Sequence, residues 1–230
     1  MNPPLTRRSL VGFGCALPLL ALPGCVRFAY GRPFEDAVRR LLRLAARRAF
    51  ARLLVENGFF RDEIAQVTLP PQLGGTGATS LLAALLQSSA VRQQLLWLVN
   101  RAASEAAAVA APLVANTIRG MDFADAASIA RGGPTAATEH LQRMMGDAIF
   151  NAMLSRVGPA LRVRDNGLLD RALRAATGID LSALQRDVAR KASEGIYRAI
   201  GREEAAIRTD PSTTRDRLLM SIFKPLRSRP

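Results

Sequence analysis

Apolar residues recur at three- and four-residue steps along most of the chain, which is the spacing of a helix that buries one face. This spacing predicts long helices over residues 33–57, 91–119, 135–157 and 181–209, and we expect the last three to pack together as the core. Nowhere do Val, Ile and Thr alternate with polar residues over the length of a strand. The pattern therefore predicts an all-α fold, a compact bundle of about eight helices around a long central helix.

The same spacing predicts which side chains point inward. In the first helix these are Val38, Leu41, Leu42, Ala45, Ala49 and Leu53. In helix 135–157 they are Leu141, Met144, Met145, Ala148, Ile149, Ala152 and Met153, and in helix 181–209 they are Leu184, Val188, Ala192, Ile196, Ala199, Ile200 and Ile207. Helix 91–119 is mostly alanine opposite its larger residues, so we expect it to be buried on almost every side, with Pro112 kinking or dividing it. Trp97 is expected in the core and His140 at the surface.

The first 25 residues have the pattern of an export signal. Arg7 and Arg8 precede an uncharged run over 9–26, and its apolar part over 10–22 is shorter than the roughly 20 apolar residues that span a membrane. The apolar part leads into Leu-Pro-Gly-Cys at 22–25, which is typical of lipoproteins and predicts a signal peptide over 1–24 and a lipid on Cys25. The paired arginines also resemble a twin-arginine signal. The alternatives are a general secretory signal and a single N-terminal anchor.

The mature chain is then expected to begin at Cys25, with an anchor linker over 25–33, one helical domain over 34–223 and a basic tail over 224–230. A lipid on Cys25 would hold it on the periplasmic face of the cell envelope, and the inner and outer membranes both fit. Both cysteines, Cys15 and Cys25, lie in the first 25 residues, so the mature domain has no thiol for catalysis, zinc binding or an internal disulfide.

The chain is strongly basic, with a formal net charge of +13, and 30 of its 32 basic residues are arginines. Nine arginines and three acids lie over 26–61. Beside a lipid anchor, this first helix is expected either to lie on anionic headgroups or to present an ordinary solvated face. Aromatic residues are not interleaved with the arginines, so we do not expect nucleic acid as a partner. The single histidine, His140, excludes His-based metal sites, and we expect no metal and no cofactor.

Four segments of the chain are similar to segments of one bacterial family. Residues 100–107 (NRAASEAA) resemble its NRAAEAA stretch, and residues 132–139 (GGPTAATE) resemble its GGDTAATD stretch. Residues 203–219 resemble its EEEKKIRxNP…RTTxLLKKVF ending, and Thr68-Leu69-Pro70 resembles its IPLP stretch. The segments occur in the same order over 34–223, and the chain therefore resembles the family called domain of unknown function 4197.

This resemblance implies an exported, mostly helical protein that is often made with a signal peptide. It implies no reaction, cofactor or catalytic residue. The chain departs from the family pattern at Pro134, which replaces an acid, in a segment around 159–180 that looks shorter, and in its Arg-rich first helix.

The segment 132–139 has features of an anion site. Gly132 and Gly133 lead into a helix whose first amides lack partners, and a helix N-terminus favours negative charge. Thr135 and Thr138 would add hydroxyl groups. The sequence Gly-Gly-Pro-Thr is also typical of a tight connection between two helices, with Thr135 as the cap, and we favour that interpretation.

Charged residues at four-residue spacing form a second candidate. Arg101 and Glu105 lie on the predicted central helix, and Glu204 and Arg208 lie on a later one. Charges on a buried helix need partners. We therefore expect Arg101 to pair with Glu203 or Glu204, and Glu105 to pair with a donor such as Arg208. We interpret this network as structural rather than catalytic.

Two functions fit these features. The first is a non-enzymatic envelope lipoprotein whose helical body binds a protein, a lipid or another hydrophobic ligand. The second is an enzyme that acts on an envelope substrate through acid–base groups. The available groups are Asp122, Asp125, Glu203 and Glu204. An open groove lined by Leu, Met and Ala would favour binding, whereas a polar pocket around Arg101 and Glu105 would favour the enzyme.

Overall fold

A computed structural model of the chain describes residues 25–69, 88–161 and 181–223. In chain order its helices are α1 (Cys25–Leu53), α2 (Gly58–Arg61), α3 (Ser89–Gly120), α4 (Ala126–Arg131), α5 (Ala136–Met145), α6 (Ala148–Leu161), α7 (Leu181–Thr209) and α8 (Arg217–Phe223), with a 3-10 turn at Pro211–Thr214. These residues contain no strand, so the all-α prediction is confirmed. The sequence also predicts short helices at 81–87 and 166–176. These two segments, the predicted signal peptide and the basic tail lie outside the described residues.

Four long helices form the core of the bundle. α1 packs along α7, α3 packs along α6, and contacts of α6 with α7 and of α1 with α3 close the arrangement. Their buried side chains form one continuous apolar cluster. The helices expected to form the core do pack together, and α1 packs with them. No helix in the described ranges is long and apolar enough to cross a bilayer.

The inner faces of α1 and α7 are as predicted. All six inward residues of α1 over 38–53 are fully buried, and those of α7 are buried from Leu184 to Ile207. α1 begins at Cys25 rather than at Pro33, so the residues expected to form a linker continue the helix. Pro33 removes one amide donor, which does not prevent the preceding residues from being helical.

The central helix is more exposed than predicted. α3 is not divided at Pro112, and Trp97, which we expected in the core, is half-buried. In the second half of the helix the regular spacing predicts Val109, Leu113 and Thr117 as inward residues, but the buried ones lie one position later, at Ala110, Val114 and Ile118. A helix has 3.6 residues per turn, so residues chosen at alternating three- and four-residue steps gradually move around the helix axis over several turns.

The predicted helix 135–157 is two helices. The chain breaks at Gly146, whose φ of 50° and ψ of −127° are accessible mainly to glycine. α6 then continues through Pro159, where we had predicted its end, to Leu161. Met144, assigned to the core, is 57% exposed, since Met145 takes the inward position one turn after Leu141.

Two further boundaries differ from the prediction. The sequence also predicts a helix from Asp122, but α4 begins at Ala126 after a turn at residues 124 and 125, and Asp125 at its cap position makes no side-chain capping bond. A last helix predicted over 213–223 is divided into the 3-10 turn and α8. Arg215 lies between them with a φ of 55°, which is outside the helical region.

Candidate functional site

The helix N-terminus that the sequence marks as an anion site holds a carboxylate of the chain itself. Glu204 on α7 is fully buried and reaches the first turn of α5. Its oxygens accept hydrogen bonds from the backbone N–H groups of Ala137 and Thr138, at 3.0 and 2.7 Å, and from the Thr138 hydroxyl at 2.6 Å. The amides and the positive end of the α5 dipole therefore stabilise Glu204.

Arg208 completes this cluster. Its Nε donates to Glu204 at 2.8 Å, and its terminal nitrogens donate to the carbonyls of Ala130 and Ile129 near the end of α4, at 2.8 and 3.0 Å. Its guanidinium also lies 4.8 Å from the centre of the Phe223 ring on α8. One buried ion pair thus joins four helices. We had expected Arg208 to pair with Glu105, but its partner is Glu204 on its own helix.

The other residues of segment 132–139 serve the connection between α4 and α5. A Cβ on Gly132 would lie 2.7 Å from the Cβ of Ala136, so a side chain does not fit there, whereas Gly133 has open space around it. The Thr135 hydroxyl donates to Glu139 at 2.7 Å and does not cap α5. Glu204 accepts hydrogen bonds from the first free N–H groups of α5 instead.

The ion network predicted around Arg101 does not form. Arg101 pairs with Glu105 at 3.0 Å on the open face of α3, where the two side chains are 39% and 45% exposed. Its guanidinium also lies over the ring of Trp97. Because this face of α3 is not buried, the pair needs no partner on α7. An exposed pair at this spacing contributes about 0.3–0.5 kcal/mol.

Glu203 belongs to a separate charge cluster. Its carboxylate lies 3.5 Å from Arg52 and 3.6 Å from Arg202. Arg202 also binds both oxygens of buried Asp62, at 2.9 and 2.7 Å. Burial raises the pKa of Asp62, but Arg202 and two backbone amides that donate to the carboxylate outweigh it and hold this pKa below its ordinary value.

Asn100, which we had not singled out, fixes the extended segment that leads into the Thr-Leu-Pro motif. It is fully buried, and its side-chain amide accepts from the N–H of Val67 at 2.7 Å and donates to the Val67 carbonyl at 2.8 Å. Lys191 on α7 donates to the hydroxyl of Thr68 at 2.9 Å and to the carbonyl of Leu69 at 3.4 Å. Side chains from α3 and α7 thus provide hydrogen-bond partners for backbone groups that have none within a helix or strand.

The same segment explains Gly195 on α7, which by its small size could also have permitted a close crossing of helices. A Cβ on Gly195 would lie 2.6 Å from the carbonyl oxygen of Ala65. The close approach is therefore between α7 and the extended backbone. A side chain at this position would push the segment away from the helix.

A groove of about 820 Å³ lies between α1 and α3. Leu54 lies in the groove and is 42% exposed, so part of the groove's apolar surface is open to solvent. Its apolar lining consists of Leu44, Ala46, Phe50, Ala51, Leu54, Ala111, Pro112, Ala115 and Ile118. Four arginines also line it, namely Arg43, Arg47, Arg48 and Arg119. Among the residues that the structure describes, no carboxylate pairs with any of the four.

A cleft of about 580 Å³ between α5 and α7 is lined by Thr135 and Thr138. Its charged groups already have partners within the protein. Arg198 lies 3.7 Å from Glu194 and donates to the Ile64 carbonyl, and Glu139 accepts from Thr135. The cleft therefore offers weaker electrostatic attraction to a charged ligand than the groove does.

Tyr197 lines this cleft with a buried side chain. The pKa of Tyr197 is raised to about 12, mainly by burial and to a smaller extent by the negative charge of Asp147. Its hydroxyl therefore stays neutral at physiological pH and brings no charge to the cleft.

The candidate acid–base residues do not lie together in one solvent-accessible pocket. Asp122 and Asp125 are exposed, while Glu204 is fully buried with its oxygens already hydrogen-bonded. Arg101, Glu105 and Glu203 line neither the groove nor the cleft. Within the described ranges, no three His, Cys, Asp or Glu side chains are grouped so as to hold a metal ion.

Comparison with known proteins gives one match. The model of the family described as protein of unknown function (DUF4197) matches residues 32–224, which contain the groove, the cleft and both buried ion clusters. No curated protein and no solved structure shows significant similarity to the chain. Because the match covers most of the sequence, the chain belongs to the DUF4197 family.

Proposed function

We propose that the protein is an exported lipoprotein and that its helical body is a non-enzymatic binding module. A lipid on Cys25 holds it on the periplasmic face of a membrane, and the groove between α1 and α3 binds a hydrophobic ligand. The observation that carries the binding role is the open apolar lining of this groove. An enzymatic role has less support, because the charged candidates are scattered and Glu204 is inaccessible to a substrate.

The groove has the dimensions and chemistry of a ligand site. Small-molecule sites have volumes of about 300–1,000 Å³ and a mostly apolar lining with a few polar groups. The groove matches this description with its Leu, Ala, Phe and Ile side chains and its four arginines. Large apolar residues such as Leu54 and Val55, which are 42% and 55% exposed, lie in or next to it. Clustered apolar exposure is typical of binding surfaces.

The proposed anchor and the groove share one helix. The Leu-Pro-Gly-Cys sequence supports lipidation at Cys25, and Arg7-Arg8 support export by the twin-arginine route. α1 runs unbroken from Cys25 into the body. At about 1.5 Å per residue, the groove begins roughly 27 Å along the helix from the lipid, at Arg43. The lipid itself therefore does not need to occupy the groove.

Lipidation is tested by Cys25→Ser in a bacterium that exports the protein. The wild type is expected to sediment with membranes and to incorporate labelled palmitate, whereas the variant stays unprocessed or enters the soluble fraction. Cys15→Ser is the matched control, since Cys15 lies inside the predicted signal peptide, and this variant should behave like the wild type. A Cys25→Ser protein that is processed normally and remains in the membrane fraction contradicts the anchor.

Ligand binding is tested by filling the groove. The neutral dye N-phenyl-1-naphthylamine should fluoresce on binding to the wild type. Ala115→Trp places an indole in the groove, and we expect it to weaken binding about tenfold or more, equivalent to ~1.4 kcal/mol. Ala206→Trp, on an exposed position of α7 outside both cavities, should leave binding unchanged. Equal dye affinity in all three proteins would show that the dye binds elsewhere.

A further inference from the structure

The groove is polar at one end and apolar at the other, because α1 and α3 run antiparallel. Arg39 on α1 donates to the carbonyl of Met121, just beyond the end of α3, at 2.9 Å. The N–H of Phe59, beyond the end of α1, donates to the hydroxyl of Ser104 in the first half of α3, at 3.3 Å. The beginning of the groove on α1 therefore faces the C-terminal end of α3.

This antiparallel arrangement places three arginines at one end of the groove and leaves only apolar lining residues at the other. Arg43 and Arg47 on α1 lie at the same end as Arg119, whose guanidinium donates to the side chain of Asn116. Leu54, the first residue after α1, lies at the other end, where α3 contributes Ala111 and Pro112. Between residues 43 and 53 the helix rises about 15 Å, which is the length over which the groove changes from cationic to apolar.

The arginines at the polar end differ in their contacts from three other arginines of α1, each of which has an acidic partner. Arg39 pairs with Glu35 at 2.8 Å, Arg40 with Asp216 at 3.1 Å and Arg52 with Glu203 at 3.5 Å. Arg43 and Arg47 are exposed and, within the described ranges, have no acidic partner. They are also one turn apart, a spacing at which like charges repel. An anion bound between them would relieve this repulsion.

We infer that the groove binds a single-chain lipid whose headgroup is a phosphate. This inference rests on the proposed function and names the ligand class of that site. The phosphate lies among Arg43, Arg47 and Arg119, and the acyl chain follows the apolar lining towards Leu54. A phosphate fits better than a carboxylate, because it carries a charge of about −1.5 to −2 and more acceptor oxygens for several guanidinium groups.

The test uses dodecyl phosphate and the uncharged dodecyl maltoside, both below their critical micelle concentrations, in calorimetric titrations of the purified protein. Arg43→Gln with Arg47→Gln is expected to lower the affinity for dodecyl phosphate about tenfold or more and to leave the affinity for dodecyl maltoside unchanged. Arg143→Gln with Arg156→Gln is the matched control, because both residues are exposed on α5 and α6 and line neither cavity. The control should bind dodecyl phosphate as the wild type does.

The outcomes separate the two proposals. If dodecyl phosphate and dodecyl maltoside bind equally well and neither depends on Arg43 and Arg47, the inference is overturned while the groove remains a hydrophobic site. Laurate that binds as tightly as dodecyl phosphate would overturn the preference for phosphate. If neither amphiphile nor the neutral naphthylamine dye binds, both the inference and the proposed function fail.

Discussion

Glu204→Ala is expected to lower the free energy of unfolding by about 3–5 kcal/mol, the cost of removing one partner of a buried pair. The substitution leaves the guanidinium of Arg208, whose side chain is only 10% exposed, without its carboxylate. It also leaves the N–H groups of Ala137 and Thr138 unpaired at the start of α5. Urea unfolding followed by circular dichroism measures the change. Glu204→Gln should cost less, because the amide oxygen still accepts a hydrogen bond.

Glu105→Ala is the matched control for this prediction. Glu105 is also one turn from its arginine, but both side chains are largely exposed, so the expected loss is at most about 0.5 kcal/mol. The contrast tests whether burial, rather than the four-residue spacing, decides the contribution of each pair. Similar losses for Glu105→Ala and Glu204→Ala would contradict the assignment of Glu204 to the core.

Asn100→Ala is expected to cost about 2–4 kcal/mol, because it leaves both the N–H and the carbonyl of Val67 buried and unpaired. The loss should be accompanied by faster hydrogen exchange over residues 62–69, since Asn100 fixes this segment to α3. Asn116→Ala, at an exposed position of the same helix, is the control and should cost little.

A local readout makes the Asn100 prediction specific. Destabilisation of the whole bundle alone would raise exchange everywhere, whereas loss of this anchor should raise it first around Val67. Unchanged exchange over residues 62–69 in Asn100→Ala would contradict the role of Asn100.

The sequence predicted the helices best where apolar spacing is strict. Helix 181–209 was predicted with the observed bounds, and its inner face is buried from Leu184 to Ile207. The reason is that large aliphatic residues at three- and four-residue steps leave only one face to bury. The break at Gly146 was missed, because a glycine inside an apolar pattern is also tolerated within a helix.

The sequence predicted α3 less well, because alanine is a weak signal of burial. An alanine-rich face is compatible with both core and solvent, so the pattern did not show that Arg101 and Glu105 face water. Their expected partners on α7 were inferred from that mistaken burial. Ion pairs between distant residues depend on how helices pack, which local spacing does not specify.

The expected burial of helix 91–119 on almost every side applies to Asn100, which is fully buried. A buried polar residue requires hydrogen-bond partners. The identity of its partner, Val67, follows only from the packing of the extended segment against α3.

The segments that carry the family resemblance meet one another in the structure. NRAASEAA contacts Val67, the residue before the Thr-Leu-Pro motif, through Asn100, and GGPTAATE contacts EEAAIR through Glu204 and Thr138. These contacts assign the segments to holding the fold together. The groove residues over 43–54 and 111–119 lie outside all four segments. Stability and ligand binding are therefore assigned to different residues and can be varied separately.

Photo-crosslinking tests most directly whether the α1–α3 groove is a ligand site. The probe is a dodecyl phosphate with a diazirine at the end of its chain, and peptide mapping locates the labelled residues. We expect labels in residues 50–54 and 111–115, at the apolar end of the groove, and their loss in Ala115→Trp. Labels that concentrate on the cleft between α5 and α7, or that spread evenly over the surface, would contradict this expectation.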